Sequence, residues 1–249
     1  MTQPFSADEV ERYARHLVLR EVGGPGQQKL KAARVLVVGA GGLGSPAALY
    51  LAAAGVGVIG LIDPDTVAAS NLQRQILFTT ADVGALKVDA GRERLGELNP
   101  HIQIESHAVA VTAENAAEVV AGYQLVLDGT DDFATRFAVS DACTAAGIPL
   151  VSGALGRWTG QVGVFSRRPC YRCLVPDLPA DADTCATVGV VGALGGVIGS
   201  MMALEAIKLI AGAGEPLTGR LLIYDALSAE TRTVKVGADP GCPSCGSPT

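Results

Sequence analysis

Two hydrophobic rhythms alternate along the chain as far as residue 153. Short apolar runs at 34–38, 56–62, 124–127 and 149–152 read as buried strands, and 101–107 alternates like a strand with one wet face. Between them, apolar residues recur three and four apart, which predicts helices from the end of a glycine loop to about 54, and over 83–98, 114–121 and 133–146. Asn99-Pro100 ends the helix at 83–98. At the N-terminus a helix is expected over 6–20: Ser6 can cap it, Glu9 completes a capping box, and Val10, Tyr13 and Leu17 share a face. Gly23-Gly24-Pro25-Gly26 should break it, leaving a short helix at 27–33. After 153 the rhythm changes. Strand-like runs at 161–166, 220–224 and 231–236 surround one long helix near 191–211.

This order predicts an α/β, Rossmann-like doubly wound and mainly parallel sheet, which the C-terminal strands extend. One domain should span 1–249, with an N-terminal helical arm (1–33), a nucleotide-binding core (34–153) and a sheet extension (154–249).

Composition sharpens this picture. The chain is 49% hydrophobic with 31 glycines, which suits a buried parallel sheet joined by tight turns. A net charge of −6 without a long basic run argues against nucleic acid as a partner. The first residues lack the basic and apolar regions of a signal peptide, so a cytoplasmic location is expected. Residues 186–204 carry no charge, which raises a membrane span. The run is short for a bilayer and bounded by Asp183 and Glu205, so a buried loop and helix, with no membrane, is the reading. Gly192 and Gly196, and Gly195 and Gly199, are four apart and would let another backbone approach. A subunit interface is one use of such a stripe.

The candidate chemistry begins at Gly39-Ala-Gly41-Gly42-Leu-Gly44, between a strand and a helix. The first glycine allows the turn, the second lets backbone approach a phosphate, and the third lets the helix pack. Asp63, at the end of the next strand, can accept from ribose hydroxyls. Alone, these features fit NAD as readily as ATP. Asn71, Gln73, Arg74 and Lys87 shift the balance, because they can grip and neutralise a polyphosphate and a nicotinamide enzyme does not need them. Asp131 falls on the carboxyl edge of the sheet, where it can bind Mg²⁺ bridging phosphates. Each has a plainer reading: Arg74 and Lys87 as solvated charges, Asp131 or Asp132 as the cap of the helix at 133.

Cys170-x-x-Cys173 and Cys242-x-x-Cys245 make two knuckles whose four thiolates suit structural zinc; a disulfide or redox pair is the alternative. Cys143 reads as a small core residue. Cys185 lies in a polar segment with Asp181 and Asp183, whose charges discourage thiolate formation. His16, His101 and His107 form no triad or metal spacing.

RYARHLVL (12–19), GAGGLG (39–44), IDPDTVAASNLQRQ (62–75), VGALK (83–87), LDGTDD (127–132), CYRC (170–173), the 196–208 helix and CPSC (242–245) together resemble the E1-like adenylyltransferases of the MoeB/ThiF type. The resemblance covers nearly the whole chain. It implies ATP contacts from Gly41, Gly42, Asp63, Ser70, Asn71, Leu72, Gln73, Arg74, Lys87, Asp131 and Asp132, with Mg²⁺ on Asp131. It further implies a homodimer in which Arg15 reaches the neighbouring subunit's phosphates. Position 132 departs from the family pattern, being Asp where Asn is usual, which puts the role of Asp132 in doubt. Cys185 matches a cysteine that accepts an acyl group or sulfur in some members and is dispensable in others.

The activity implied is ATP-dependent adenylation of the C-terminal glycine carboxylate of a ubiquitin-like, MoaD/ThiS-like sulfur-carrier protein. Molybdenum cofactor biosynthesis, thiamine biosynthesis and tRNA thiolation all use such enzymes. The chain stops just past its second cysteine pair, so a separate sulfurtransferase or cysteine desulfurase is expected. Against this stand an NAD(P)-dependent oxidoreductase and a catalytically silent scaffold. The presence of Arg74, Lys87 and Asp131 weighs against silence.

Overall fold

A computed structural model describes residues 4–177 and 189–246. Cys185, Asp181 and Asp183 lie outside the described residues, as does part of the uncharged run.

The arm comprises α1 (Ala7–Arg12), α2 (Ala14–Leu17) and α3 (Gly23–Ala32). The capping box forms: the Glu9 amide donates to Ser6 Oγ at 3.2 Å, and the Ser6 amide to Glu9 Oε2 at 2.8 Å. The single helix expected over 6–20 divides at Tyr13, whose backbone leaves the helical region. Its side chain explains the break. The ring is buried over Gly55, where a Cβ would lie 2.4 Å from it, and the hydroxyl accepts from Asn99 Nδ2 at 2.8 Å. The arm is thereby pinned to the core. The expected break at 23–26 is instead the first turn of α3, because Pro25 falls where helical amides lack partners anyway.

The core runs β1 (Arg34–Val38), α4 (Gly44–Ala53), β2 (Val58–Ile62), α5 (Lys87–Leu98), β3 (Gln103–His107), α6 (Ala116–Val120), β4 (Leu125–Asp128), α7 (Phe133–Ala146) and β5 (Leu150–Leu155). Helix α5 starts at Lys87, not 83. Gly84 and Ala85 pair with the backbone of Val67, and the Lys87 amide donates to the Asp65 carbonyl, which carries Lys87 to the end of β2. Then follow β6 (Thr159–Phe165), α8 (Gly192–Ala211), β7 (Arg220–Asp225) and β8 (Glu230–Lys235). The strands form one sheet in the order β3-β2-β1-β4-β5-β6-β7-β8. It is parallel from β3 to β5 and antiparallel from β5 to β8. The strand order reverses direction at β1, so β1 and β4 part at their carboxyl ends and open a crevice there.

Helix α8 is long and apolar enough to cross a membrane by length and composition. Here it packs on the sheet through Leu194, Ile198, Met202 and Ala206. Its glycine stripe serves this chain's own packing. A Cβ on Gly192 would lie 2.0 Å from the Gln73 carbonyl oxygen, on Gly195 2.6 Å from that of Gly42, and on Gly199 2.5 Å from that of Leu43. The backbone that approaches is therefore the chain's own glycine loop. Only Gly196, of the four expected positions, faces open space.

Candidate active site

Val38 and Asp128 are paired at the ends of β1 and β4, and the glycine loop leaves β1 at this point. Gly39 takes φ 85°, and a Cβ on Gly44 would lie 1.8 Å from the Gly39 carbonyl oxygen. The loop closes only with glycine at both places. Arg74 lies along it, with its Cγ and Cδ at 3.5 Å from where a Gly42 Cβ would be.

Asp63 is buried at the end of β2. Its Oδ2 accepts from the Ala40 amide and its Oδ1 from the Asp65 amide, both at 2.9 Å. Lys87, also buried, donates to both Asp63 oxygens at 3.3 and 3.4 Å and to Asp65 Oδ2 at 2.8 Å. The acid thus ties the glycine loop to β2, and the lysine sits between two carboxylates. Asn71 Oδ1 accepts from the Ala68 amide, and Arg74 Nη1 donates to the Ser70 carbonyl at 3.1 Å, so the turn at 69–75 is self-braced.

These groups enclose a cleft of about 430 Å³. Gly41, Gly42, Asp63, Asn71, Arg74, Lys87, Asp131 and Asp132 line it. Ser70, Leu72 and Gln73 belong to the same turn but are not among its lining residues. Leu72 packs on the core, and the Gln73 carbonyl abuts Gly192. Arg15 is exposed on α2, outside the cleft of its own chain. Asp132 caps α7, accepting from the Thr135 amide at 2.7 Å. Partial burial pushes its pKa up, but hydrogen bonds from Thr135 and Ala134 outweigh that and hold it below the usual carboxylate value. The capping reading of Asp132 therefore holds alongside its place on the cleft wall.

The sequence reading gave no role to three residues at the site: Arg136 and Gln75, which line the cleft, and Asp128, which is buried behind it. Arg136 is buried, donating to Ser152 Oγ at 3.2 Å, to the Gly153 carbonyl at 2.7 Å and to the Thr130 carbonyl. It faces Asp128 Oδ2 at 3.6 Å. Burial works against its charge, but Asp128 leaves its pKa above the ordinary value. Asp128 also accepts from the Thr130 amide and hydroxyl, fixing the loop before Asp131. Gln75 is buried on the wall with its carbonyl oxygen unpartnered. Asp128 had a signal, an acid at the carboxyl end of a buried strand. Gln75 is the last residue of the 62–75 motif, which marked it without giving it a role, and Arg136 had no signal beyond lying near a motif.

The sulfurs of Cys170, Cys173, Cys242 and Cys245 lie within 4.8 Å of one another, with 3.5 Å between Cys170 and Cys242 and 3.3 Å between Cys173 and Cys245. None is in a disulfide. Tetrahedral zinc with bonds of about 2.3 Å places its sulfurs about 3.8 Å apart, so the donor set fits. Burial pushes the Cys242 thiol up, but hydrogen bonds from the backbone amides of Cys245 and Ser244 bring it to about 7. Cys143 is a core residue, its thiol pushed up to about 12 by burial.

The ThiF family model matches residues 13–244. A sulfur carrier protein adenylyltransferase of Thermus thermophilus is 47% identical, with 97% of this chain and 93% of that protein covered. A probable adenylyltransferase/sulfurtransferase MoeZ of Mycobacterium tuberculosis is 46% identical over 98% of this chain. The chain spans only 65% of that longer protein. Among solved structures, MccB of E. coli with ATP superposes with a TM-score of 0.82 at 25% identity, covering 97% of this chain and 75% of the other.

Proposed function

The chain belongs to the ThiF family, and on that premise we propose that it is an ATP-dependent adenylyltransferase acting on a ubiquitin-like sulfur-carrier protein that ends in Gly-Gly. A carboxylate oxygen of the terminal glycine attacks the α-phosphorus of ATP. The bond from that phosphorus to the bridging oxygen breaks, and pyrophosphate leaves with the electron pair. No proton moves, so no side chain need act as nucleophile or base. What the site must supply is alignment and neutralisation of charge as the leaving group departs. The observation that carries this reading is the convergence of Arg74, Lys87 and Asp131 on the cleft of the glycine loop.

In this reading Arg74 and Lys87 neutralise the polyphosphate, Asp63 takes the ribose, and the turn at Ser70, Asn71, Leu72 and Gln73 covers the nucleotide. Lys87 has three protons to donate, so it can exchange exposed Asp65 for a phosphate oxygen and stay on Asp63. Asp131, on the cleft wall, would hold Mg²⁺, which would screen the phosphate charge. Arg15 of a partner subunit completes the site in a homodimer. The four cysteines hold structural zinc, and Cys185 serves as an acyl or sulfur acceptor in the cytoplasm. A separate sulfurtransferase or cysteine desulfurase supplies the sulfur. The nicotinamide reading of the glycine loop is not favoured, because relatives matching nearly the whole chain are named adenylyltransferases.

The test mixes the protein with Mg-ATP and each Gly-Gly carrier in turn, following pyrophosphate release and carrier mass. A carrier gaining AMP is the expected result. Arg74→Ala and Asp131→Ala should fold normally and lose roughly 10²–10³ in rate, as when a charge-stabilising donor is removed. Full activity in either variant would remove that residue from the mechanism.

A further inference from the structure

Gln75 carries a buried polar side chain that the fold does not use. It is 4% exposed and lies on the cleft wall. Its backbone is engaged on both sides: the amide donates to the Asn71 carbonyl at 2.9 Å, and the carbonyl accepts from the Phe78 amide at 3.2 Å. Its carboxamide is not engaged. The oxygen is closed off from solvent without a hydrogen-bond partner, and the nitrogen makes no hydrogen bond among the described residues. A buried polar group left unpaired costs stability, and an apolar side chain of the same shape would fill the space without that cost. What the carboxamide faces is the glycine loop. Its nitrogen lies 3.7 Å from where a Gly41 Cβ would be, just as the Arg74 Cγ and Cδ lie 3.5 Å from the Cβ position of Gly42. Two consecutive residues of the turn at 69–75 therefore stand over two consecutive glycines, at the place where the loop leaves room for a phosphate.

We propose that Gln75 is a further phosphate-binding residue: its carboxamide N–H groups donate to a phosphate oxygen of the nucleotide lying against Gly41. This role rests on the nucleotide reading of the cleft. An amide offers two donors and carries no charge, so Gln75 adds a directed hydrogen bond where Arg74 and Lys87 supply the neutralisation. Rotation about the last side-chain bond carries the oxygen out of its closed position as the nitrogen turns to the phosphate. Binding thereby relieves a cost that the free protein carries.

Gln75→Met keeps the length of the side chain and removes both polar atoms. Calorimetry with Mg-ATP and with adenosine, beside urea unfolding without nucleotide, tests the role. The variant should bind Mg-ATP roughly tenfold or more weakly, as on loss of a hydrogen bond to a charged group. It should bind adenosine as the wild type does and unfold at the same urea concentration or a higher one. Gly41→Ala meets nothing closer than 3.7 Å, so it should fold, and its methyl would stand between the amide and the phosphate. In that background Gln75→Met should cost no further affinity for Mg-ATP. Unchanged Mg-ATP affinity in Gln75→Met, an equal loss for adenosine, or an unfolding midpoint well below that of wild type overturns the proposal. Losses that add in the double variant overturn it too. A wild type that binds neither Mg-ATP nor adenosine overturns the nucleotide reading of the cleft and the role of Gln75 with it. A wild type that binds both, matched by Gln75→Met, overturns the role of Gln75 alone.

Discussion

Lys87 sits between two acids that differ in burial, and that difference predicts the consequences of removing each. The side chains of Lys87 and Asp63 are 6% and 7% exposed, whereas that of Asp65 is 66% exposed. Removing one member of a buried ion pair strands the other's charge. Lys87→Met should therefore cost about 3 kcal/mol, the lower part of the usual range, because Asp63 keeps two backbone amides. Asp65→Asn should cost less than about 1 kcal/mol, since water screens it. Urea unfolding of both variants measures the contrast; equal losses would mean that Lys87 is not held by Asp63. The identities of these residues were legible in the sequence because a strand end and a glycine loop mark where a ligand binds. Their partnership was not, since periodicity carries no information about contacts 24 residues apart. The same limit hid Arg136, whose partners lie on three other segments.

Helix α8 offers a sharper case at the scale of an element. Its length and apolar character were readable, and so was the spacing of its glycines, but spacing alone does not say which backbone comes close. Gly195 and Gly196 are adjacent and should respond oppositely. Gly195→Ala puts a methyl 2.6 Å from the Gly42 carbonyl oxygen, so helix and glycine loop must part. Nucleotide affinity should fall together with stability. Gly196→Ala meets nothing within 4 Å and should stabilise the chain by roughly 0.5–1 kcal/mol through helix propensity, unless a partner subunit occupies that space. Thermal melts over a range of protein concentrations distinguish these cases. The arm makes a prediction of another kind. Burial pushes the Glu9 carboxyl up, but Lys31 and Ser6 outweigh it and hold the pKa below its ordinary 4.5. A depressed carboxylate stabilises the fold above pH 4.5, and that contribution is lost as pH falls below 4.5 through the folded value. Limited proteolysis should therefore cut the arm more readily in acid, and Glu9→Gln should remove that part of the pH dependence. The capping box behind this effect was readable locally. The division at Tyr13 was not, because it is imposed by Asn99 and Gly55 from elsewhere in the chain.

At the scale of the whole molecule, the arm and the cleft do not meet within one chain among the described residues. Arg15 is exposed on α2 and absent from the cleft that Arg74 lines. If the site is completed by a second copy, lesions in Arg15 and Arg74 fall in different sites of a mixed dimer. Take a dimer of one Arg15→Ala subunit and one Arg74→Ala subunit. The cleft of the first has its own Arg74 and receives the intact Arg15 of the second. The other cleft lacks both. Equal mixing with free exchange makes half of the dimers mixed, each with one working site in two, so activity should return to about a quarter of wild type from two nearly inactive parents. Subunits that act alone give no recovery at any mixing ratio. A chain whose Arg15 served its own cleft through a movement of the arm would give none either. Recovery that rises and falls with the fraction of mixed dimers, measured by native mass spectrometry, is the outcome that a shared site requires.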